Sequence, residues 1–392
     1  MLPADVLMLL GAGAVAWGTT FVLTPAVRRL AIAQDWVDRP DFRRKVHQTP
    51  TPRVGGLALF GGAMAGVIFL LLGAEFFVGG IPRELMTVAA GAVIIALTGL
   101  YDDAYELGFK RKFVVQVVVA YALLWGGVRV ELGGLGWFSG LSASELALIE
   151  IPVTMLWIVG VTNAVNLLDG LDGLAAGVTG IAVLSLSTAF AVQGDPVALA
   201  LTVPLLGAIA AFLLFNAHPA SIFMGDTGSL SLGYLLATVS LLGSGHSDPG
   251  LALLVPIFAC GLPILDTSAT FTRRVLEGHS PFLPDRDHIH HRIRNRVGSH
   301  WGAVLVMYGL ATAFGTAAVT VALGGSAVAV VVTVSLVAFV GLVLYLLDYA
   351  HPETVRVAIA GRRAIKEVRE EEKRAQQQEI ERRREMLLGA EA

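Results

Sequence analysis

A chain of 392 residues that is 55% apolar and only 15% charged cannot cover a soluble surface, which takes about a quarter of charged residues. The single cysteine, Cys260, lies in an apolar run and rules out a disulfide framework or a cysteine metal site. A net charge of −3 argues against a nucleic-acid partner.

Apolar runs of membrane-spanning length recur along the chain. In order they predict about eleven spans, at 3–23, 54–74, 85–100, 113–127, 147–162, 174–192, 198–215, 229–243, 251–271, 302–322 and 327–347. The expected fold class is therefore an all-α polytopic membrane protein. The first run has no cationic leader and no small-residue cleavage site, so it reads as a retained helix. Eleven spans divide the connections into two sets, and 26 of the 28 Lys and Arg fall in one of them. Basic residues near span ends stay on the cytoplasmic side, which puts the N-terminus outside and the C-terminus inside. The spans make up one membrane domain over 1–350. The segment 351–392 is a charged tail, with Glu370–Arg374 and Glu379–Arg383 at helical i,i+4 spacing.

Charge near a bilayer core is costly, and the polar clusters all fall on the predicted cytoplasmic side. The first inner loop runs from Asp38-Arg39 through Arg43-Arg44-Lys45 to Arg53 and is basic, either as a topology signal or as a phosphate clamp. After the third span come Asp102, Asp103 and Glu106, with Lys110, Arg111 and Lys112 close behind. Crowded carboxylates repel one another, and a hard divalent cation such as Mg²⁺ or Mn²⁺ relieves this. A helix-end charge cluster in water remains the alternative.

Asn163, Asn166, Asp169 and Asp172 recur every third residue before Gly173. Neighbours in such a series share a helical face, while its two ends do not, so an interrupted helix is expected. The loop Gly225-Asp226-Thr227-Gly228-Ser229 precedes another span. Its Thr or Ser could cap that helix, its N-terminus could take a phosphate, and Asp226 could bind a cation. In Asp285-Arg286-Asp287-His288-Ile289-His290-His291, helical spacing puts His288 and His291 on one face and His290 elsewhere. That arrangement suits donors to a diphosphate or sugar better than a converging zinc site. Asp266 and Arg273, seven residues apart, are expected to form a structural ion pair.

The strings Asn163–Gly173 and Gly225–Ser229, the Asp102-Asp103 pair and the His288–His291 run occur in one order on one face. Together they resemble the polyprenyl-phosphate N-acetylhexosamine-1-phosphate transferase family, of glycosyltransferase family 4 type. The resemblance covers roughly residues 1–350. The His-Ile-His-His form looks like the branch that uses UDP-N-acetylglucosamine. The phospho-N-acetylmuramoyl-pentapeptide transferase of peptidoglycan synthesis is the alternative, and a membrane transporter is a second class.

The resemblance implies a Mg²⁺-dependent enzyme of the bacterial cytoplasmic membrane, working at the cytoplasmic face on a UDP-sugar and undecaprenyl phosphate. It would transfer N-acetylhexosamine 1-phosphate and release UMP, as the first membrane step of an envelope glycan. Teichoic acid and lipopolysaccharide pathways both share that step. A homodimer is one assembly left open. By motif match Asp226 and Asn166 would serve the metal, and Asp102, Asp103, Asp169 and Asp172 the chemistry. Lys45, Lys112, Asn163, His288, His290 and His291 would hold substrate.

Overall fold

The computed structural model describes residues 3–39, 50–73, 80–242, 253–280 and 287–349. Lys45 and the tail 351–392 therefore lie outside the described residues. The α-helices are α1 (Pro3–Ala33), α2 (Gly56–Leu72), α3 (Arg83–Tyr105), α4 (Phe109–Trp125), α5 (Ala143–Leu168), α6 (Leu174–Gln193) and α7 (Pro196–Asn216). They continue with α8 (Gly225–Leu242), α9 (Leu254–Ala259), α10 (Gly261–Leu276), α11 (Ile289–Val297), α12 (His300–Leu323) and α13 (Ser326–Leu346). Seven of these, α1, α3, α5, α6, α7, α12 and α13, are long and apolar enough to cross a membrane, and α2 is a shorter apolar helix. The chain is a polytopic helical membrane protein.

Each apolar run of the sequence is helical, but the ninth is broken. α9 ends at Ala259 and α10 starts at Gly261, with Cys260 between them. Gly261 packs where a Cβ would lie 2.2 Å from the Phe314 ring, so the break lies hard against α12. Among the described residues, the sole strands form a small antiparallel ribbon, β1 (Val37–Asp38) with β2 (Thr51–Pro52).

α8 sits at the centre. Every residue from Thr227 to Leu241 is buried, as expected for a helix enclosed by others. α2, α3, α5, α6, α7 and α9 all pack on it. Small residues permit this closeness. A Cβ on Gly99 of α3 would lie 2.5 Å from the Asp226 carbonyl oxygen, and one on Gly233 2.7 Å from that of Thr162 in α5. Without a hydrophobic driving force between helices in lipid, such close backbone contact is what binds them. Its effect here is to fix the N-terminus of α8 against the ends of α3 and α5. By contrast α13 packs chiefly on α12, and only 11% of its apolar window is buried.

Candidate active site

A cavity of about 730 Å³ opens where the ends of α3, α5, α7, α8, α11 and α12 meet. Asp102, Asp103, Asp169, Asp172, Asp226 and His291 all line it. These residues come from four separate stretches of sequence, so the tertiary fold unites them.

The acidic wall is built around α8. Gly225 turns the chain with φ of +67°, which a side chain rarely adopts, and a Cβ there would meet the Arg53 carbonyl oxygen at 1.9 Å. The segment before it is stitched to β2 and the start of α2. Phe223 N–H donates to Pro52 O at 2.7 Å, Gly55 N–H to Phe223 O at 2.9 Å, and Gly56 N–H to Met224 O at 2.8 Å. Neither Thr227 nor Ser229 caps α8. The cap comes from Asp103 of α3, whose carboxylate accepts from Asp226 N–H (2.8 Å), Thr227 N–H (2.9 Å) and Thr227 Oγ1 (2.5 Å). The free amides that could have taken a phosphate are thereby occupied, and Asp103 is the clamp that aims Asp226.

Asp226 projects from that clamp toward Lys112. The Lys112 ammonium donates to Asp226 Oδ2 at 2.6 Å and to Asp102 Oδ2 at 3.1 Å. The three side chains are between 15% and 24% exposed, so the interaction is worth more than a surface ion pair. Asn166 Nδ2 donates to Asp226 Oδ1 (3.2 Å) and to Ser229 Oγ (2.8 Å), which makes it the orienter of the carboxylate. Asp169 stands just past the end of α5. Part of its surface opens to the cavity, yet burial, with the carboxylates of Asp226, Asp103 and Asp172 nearby, pushes its pKa up to about 7.

Asn163 does not line the cavity. Its Nδ2 donates to Gln116 Oε1 at 2.6 Å and to Val159 O at 2.7 Å, so it ties α5 to α4. The regular three-residue series ends at the interruption after Leu168, and only its later members face the site.

The second wall is histidine-rich, and it departs from the helical-spacing expectation. α11 begins at Ile289, and His288 is extended, with φ −72° and ψ 160°. A helical wheel therefore does not apply across that residue. His288 and His290, not His291, share a partner. Asp266 Oδ2 accepts from His290 Nδ1 at 3.1 Å and lies 3.2 Å from His288 Nδ1, which is also 3.3 Å from Thr270 Oγ1, while its Oδ1 accepts from Ile289 N–H at 2.5 Å. Asp266 thus serves the histidine run rather than Arg273, which pairs with Glu277 (2.9 Å) and Asp287 (3.4 Å). Because a carboxylate only accepts, the His290 ring donates through Nδ1. All three side chains are buried behind the wall. His290 lies so close to the Asp169–Gly173 turn that a Cβ on Gly170 would be 2.6 Å from its Nε2. His291 alone of the three faces the cavity. Burial, with His290 and His288 beside it, pushes its pKa down to about 4.

Two residues of this wall carried no signal in the sequence. His218 Nδ1 donates to Asp172 Oδ2 at 2.7 Å, and its ring stacks on His300 at 3.9 Å between centroids. Each is an isolated histidine at a helix end, brought to Asp172 only by the fold. Outside the wall, a clasp holds α11 in place. Arg292 pairs with Asp287, donates to Leu347 O at 2.9 Å and lies 3.9 Å over the Tyr349 ring, and Arg296 reaches Leu346 O and Asp348.

The donor set fits a hard divalent cation. Asp102, Asp169 and Asp226 offer carboxylate oxygens to one cavity, and Asp102 Oδ1 is buried with no hydrogen-bond partner. Among the described residues the groups that converge more tightly are Asp172–His218–His300 and Asp266–His288–His290. In both, the carboxylate already accepts hydrogen bonds from its neighbours, while one ring nitrogen in each group, His300 Nδ1 and His290 Nε2, is buried without a partner.

A bundle of apolar helices carries acidic and histidine walls around one cavity, a polar site built into a membrane protein. The chain matches the family described as glycosyl transferase family 4 over residues 85–244. It is 39% identical over 301 residues to the probable undecaprenyl-phosphate N-acetylglucosaminyl 1-phosphate transferase of Bacillus subtilis, covering 77% of this chain and 81% of that one. It is 36% identical over 320 residues to the decaprenyl-phosphate N-acetylglucosaminephosphotransferase of Mycobacterium tuberculosis, with 74% and 76% covered. To the undecaprenyl-phosphate alpha-N-acetylglucosaminyl 1-phosphate transferase of Escherichia coli it is 27% identical over 270 residues, with 68% and 71% covered. The chain belongs to the polyprenyl-phosphate N-acetylhexosamine-1-phosphate transferase family.

Proposed function

We propose that this protein transfers N-acetylglucosamine 1-phosphate from UDP-N-acetylglucosamine to undecaprenyl phosphate, giving undecaprenyl-diphospho-N-acetylglucosamine and UMP. The observation that carries this reading is the meeting of Asp102, Asp169 and Asp226 in one cavity with Lys112 between two of them. The names of the relatives favour N-acetylglucosamine over the N-acetylmuramoyl-pentapeptide alternative.

The reaction is an attack by a lipid phosphate oxygen on the β-phosphorus of the donor, breaking its bond to the bridging oxygen that leaves with UMP. The second pKa of a phosphate monoester is about 6, so the nucleophile is already ionised near neutral pH. A dedicated general base is not needed, and the protein's work is positioning and charge neutralisation. Asp226 and Asp102, with Asp169 beside them, would hold Mg²⁺. When bound, that ion would neutralise phosphate oxygens and orient them for in-line displacement. Asn166 and Asp103 act through Asp226, one orienting its carboxylate and the other fixing its backbone. Asp172, braced by His218, and neutral His291 offer hydrogen-bonding groups to the nucleotide sugar.

We further read eleven spans, with the N-terminus outside and the C-terminus and cavity on the cytoplasmic side of the bacterial inner membrane. The 26-to-2 partition of Lys and Arg supports this, and every cavity residue falls in or beside the basic set of connections. The test is incubation of the purified protein with UDP-N-acetylglucosamine, undecaprenyl phosphate and Mg²⁺, with mass analysis of the lipid product. A panel of other UDP-sugars is run in parallel. A product carrying a different sugar, or none from any donor, overturns the assignment.

A further inference from the structure

The cavity lining holds seven acidic residues, including the carboxylates already described, and two arginines, Arg53 and Arg294. Arginine beside so many carboxylates would ordinarily pair with one of them. Neither does so among the described residues, and Arg53 Nε is buried without any hydrogen-bond partner. A guanidinium nitrogen left bare in a partly dry site costs free energy unless something takes its hydrogen bond.

The backbone explains why both are held away from the acids. Arg53 sits between β2 and α2, in the segment stitched to Phe223 and Met224, and its carbonyl oxygen packs against Gly225. It therefore enters the cavity from beside the loop that carries Asp226. Arg294 enters from the histidine wall. On α11, Ile289 and Ile293 are buried, while His291 and Arg294, three residues apart, share the face that lines the cavity. Two unpaired cations thus reach one cavity from separate walls, each fixed by its own element.

We propose that Arg53 and Arg294 form a two-armed clamp for phosphate oxygens in this cavity. The planar guanidinium takes two phosphate oxygens at once, which lysine cannot do. Two such forks on different elements fit a ligand with two phosphate groups. Both the donor diphosphate and the lipid phosphate share this chemistry. The clamp adds to Lys112 in offsetting the seven acids of the cavity, which by themselves would repel a polyanion. The inference rests on the transferase reading for its substrates, but not for the anion chemistry.

The test uses the full-length protein in nanodiscs and the variants Arg53→Lys, Arg53→Gln, Arg294→Lys and Arg294→Gln, with Lys110→Gln, an exposed cation outside the cavity, as control. Thermal unfolding first establishes which variants fold, and the lysine forms keep the charge where the glutamines do not. Binding of UMP and inorganic pyrophosphate with Mg²⁺ is measured without turnover, and KM is measured for each substrate. Weakening of pyrophosphate or UMP binding by roughly 10- to 100-fold in the glutamine variants is expected, with partial recovery in the lysine variants. A rise in KM for UDP-N-acetylglucosamine alone assigns the clamp to the donor, and a rise for undecaprenyl phosphate alone assigns it to the lipid. Folded variants whose anion affinities and KM values both stay within twofold of wild type overturn the proposal. If the wild type proves inactive on UDP-N-acetylglucosamine, the transferase reading fails, and the pyrophosphate measurement still decides the clamp.

Discussion

The acidic and histidine walls of the cavity are built on different principles. Asp226 is held by the buried body of the molecule, its backbone clamped by Asp103 and its side chain by Asn166 and Lys112. In the histidine wall, His288 and His290 hang on one buried carboxylate, Asp266, and on a clasp between α11 and the end of α13, while His218 and His300 hang on Asp172. α8 is wrapped by six helices, while α13 packs chiefly on α12. The rigid side suits the carboxylates proposed to hold a multivalent ion within a few tenths of an ångström, and the looser support suits the wall proposed to admit and release a nucleotide sugar.

Four substitutions would break or sharpen this contrast. Asp226→Ala should reduce kcat by about a thousandfold or more in the transfer assay, with Mg²⁺ affinity lost. A loss under tenfold would mean that the acidic wall is not the catalytic one. Asn166→Ala removes the orienter alone and should cost about 10- to 100-fold, with a raised apparent Mg²⁺ requirement in titrations of activity against metal. Asp266→Asn should act on the other wall. A rise of about tenfold in KM for the nucleotide sugar, with the Mg²⁺ requirement unchanged, is the expected split between the two walls. His291→Gln should have the smallest effect. Because burial holds His291 near 4, it binds a proton only in strong acid and stays neutral from about pH 8 down to about pH 5. The acid limb of the kcat/KM profile should therefore stay in place in this variant, and a displaced limb would show that His291 is charged in the working enzyme.

The two walls also differ in how far the sequence revealed them. Runs of apolar residues sufficed to locate the apolar helices, seven of which are long enough to cross a membrane, but not the polar α11. The break at Cys260 escaped because it depends on Gly261 packing on Phe314, a contact between distant segments. Asp102, Asp169 and Asp226 stood out because an acidic residue in an apolar neighbourhood needs a reason. Asp103 could not be told from Asp102 by sequence alone. One caps α8 and the other faces Lys112, and only the orientation of α3 separates them. The histidine run was misread because the helical wheel was extended one residue too far, across the extended backbone of His288. His218 and His300 were invisible, since each acquires meaning only from Asp172.

The ammonium that bridges Asp102 and Asp226 has a consequence for the resting enzyme. With its own internal counter-ion in place, the carboxylate pair carries less uncompensated negative charge and has less cause to scavenge whatever cation is abundant. Binding of the proposed divalent ion would then be an exchange, in which an arriving phosphate would give the displaced lysine somewhere to go. Cation and substrate should accordingly favour each other's entry, so that each tightens the protein's hold on the other.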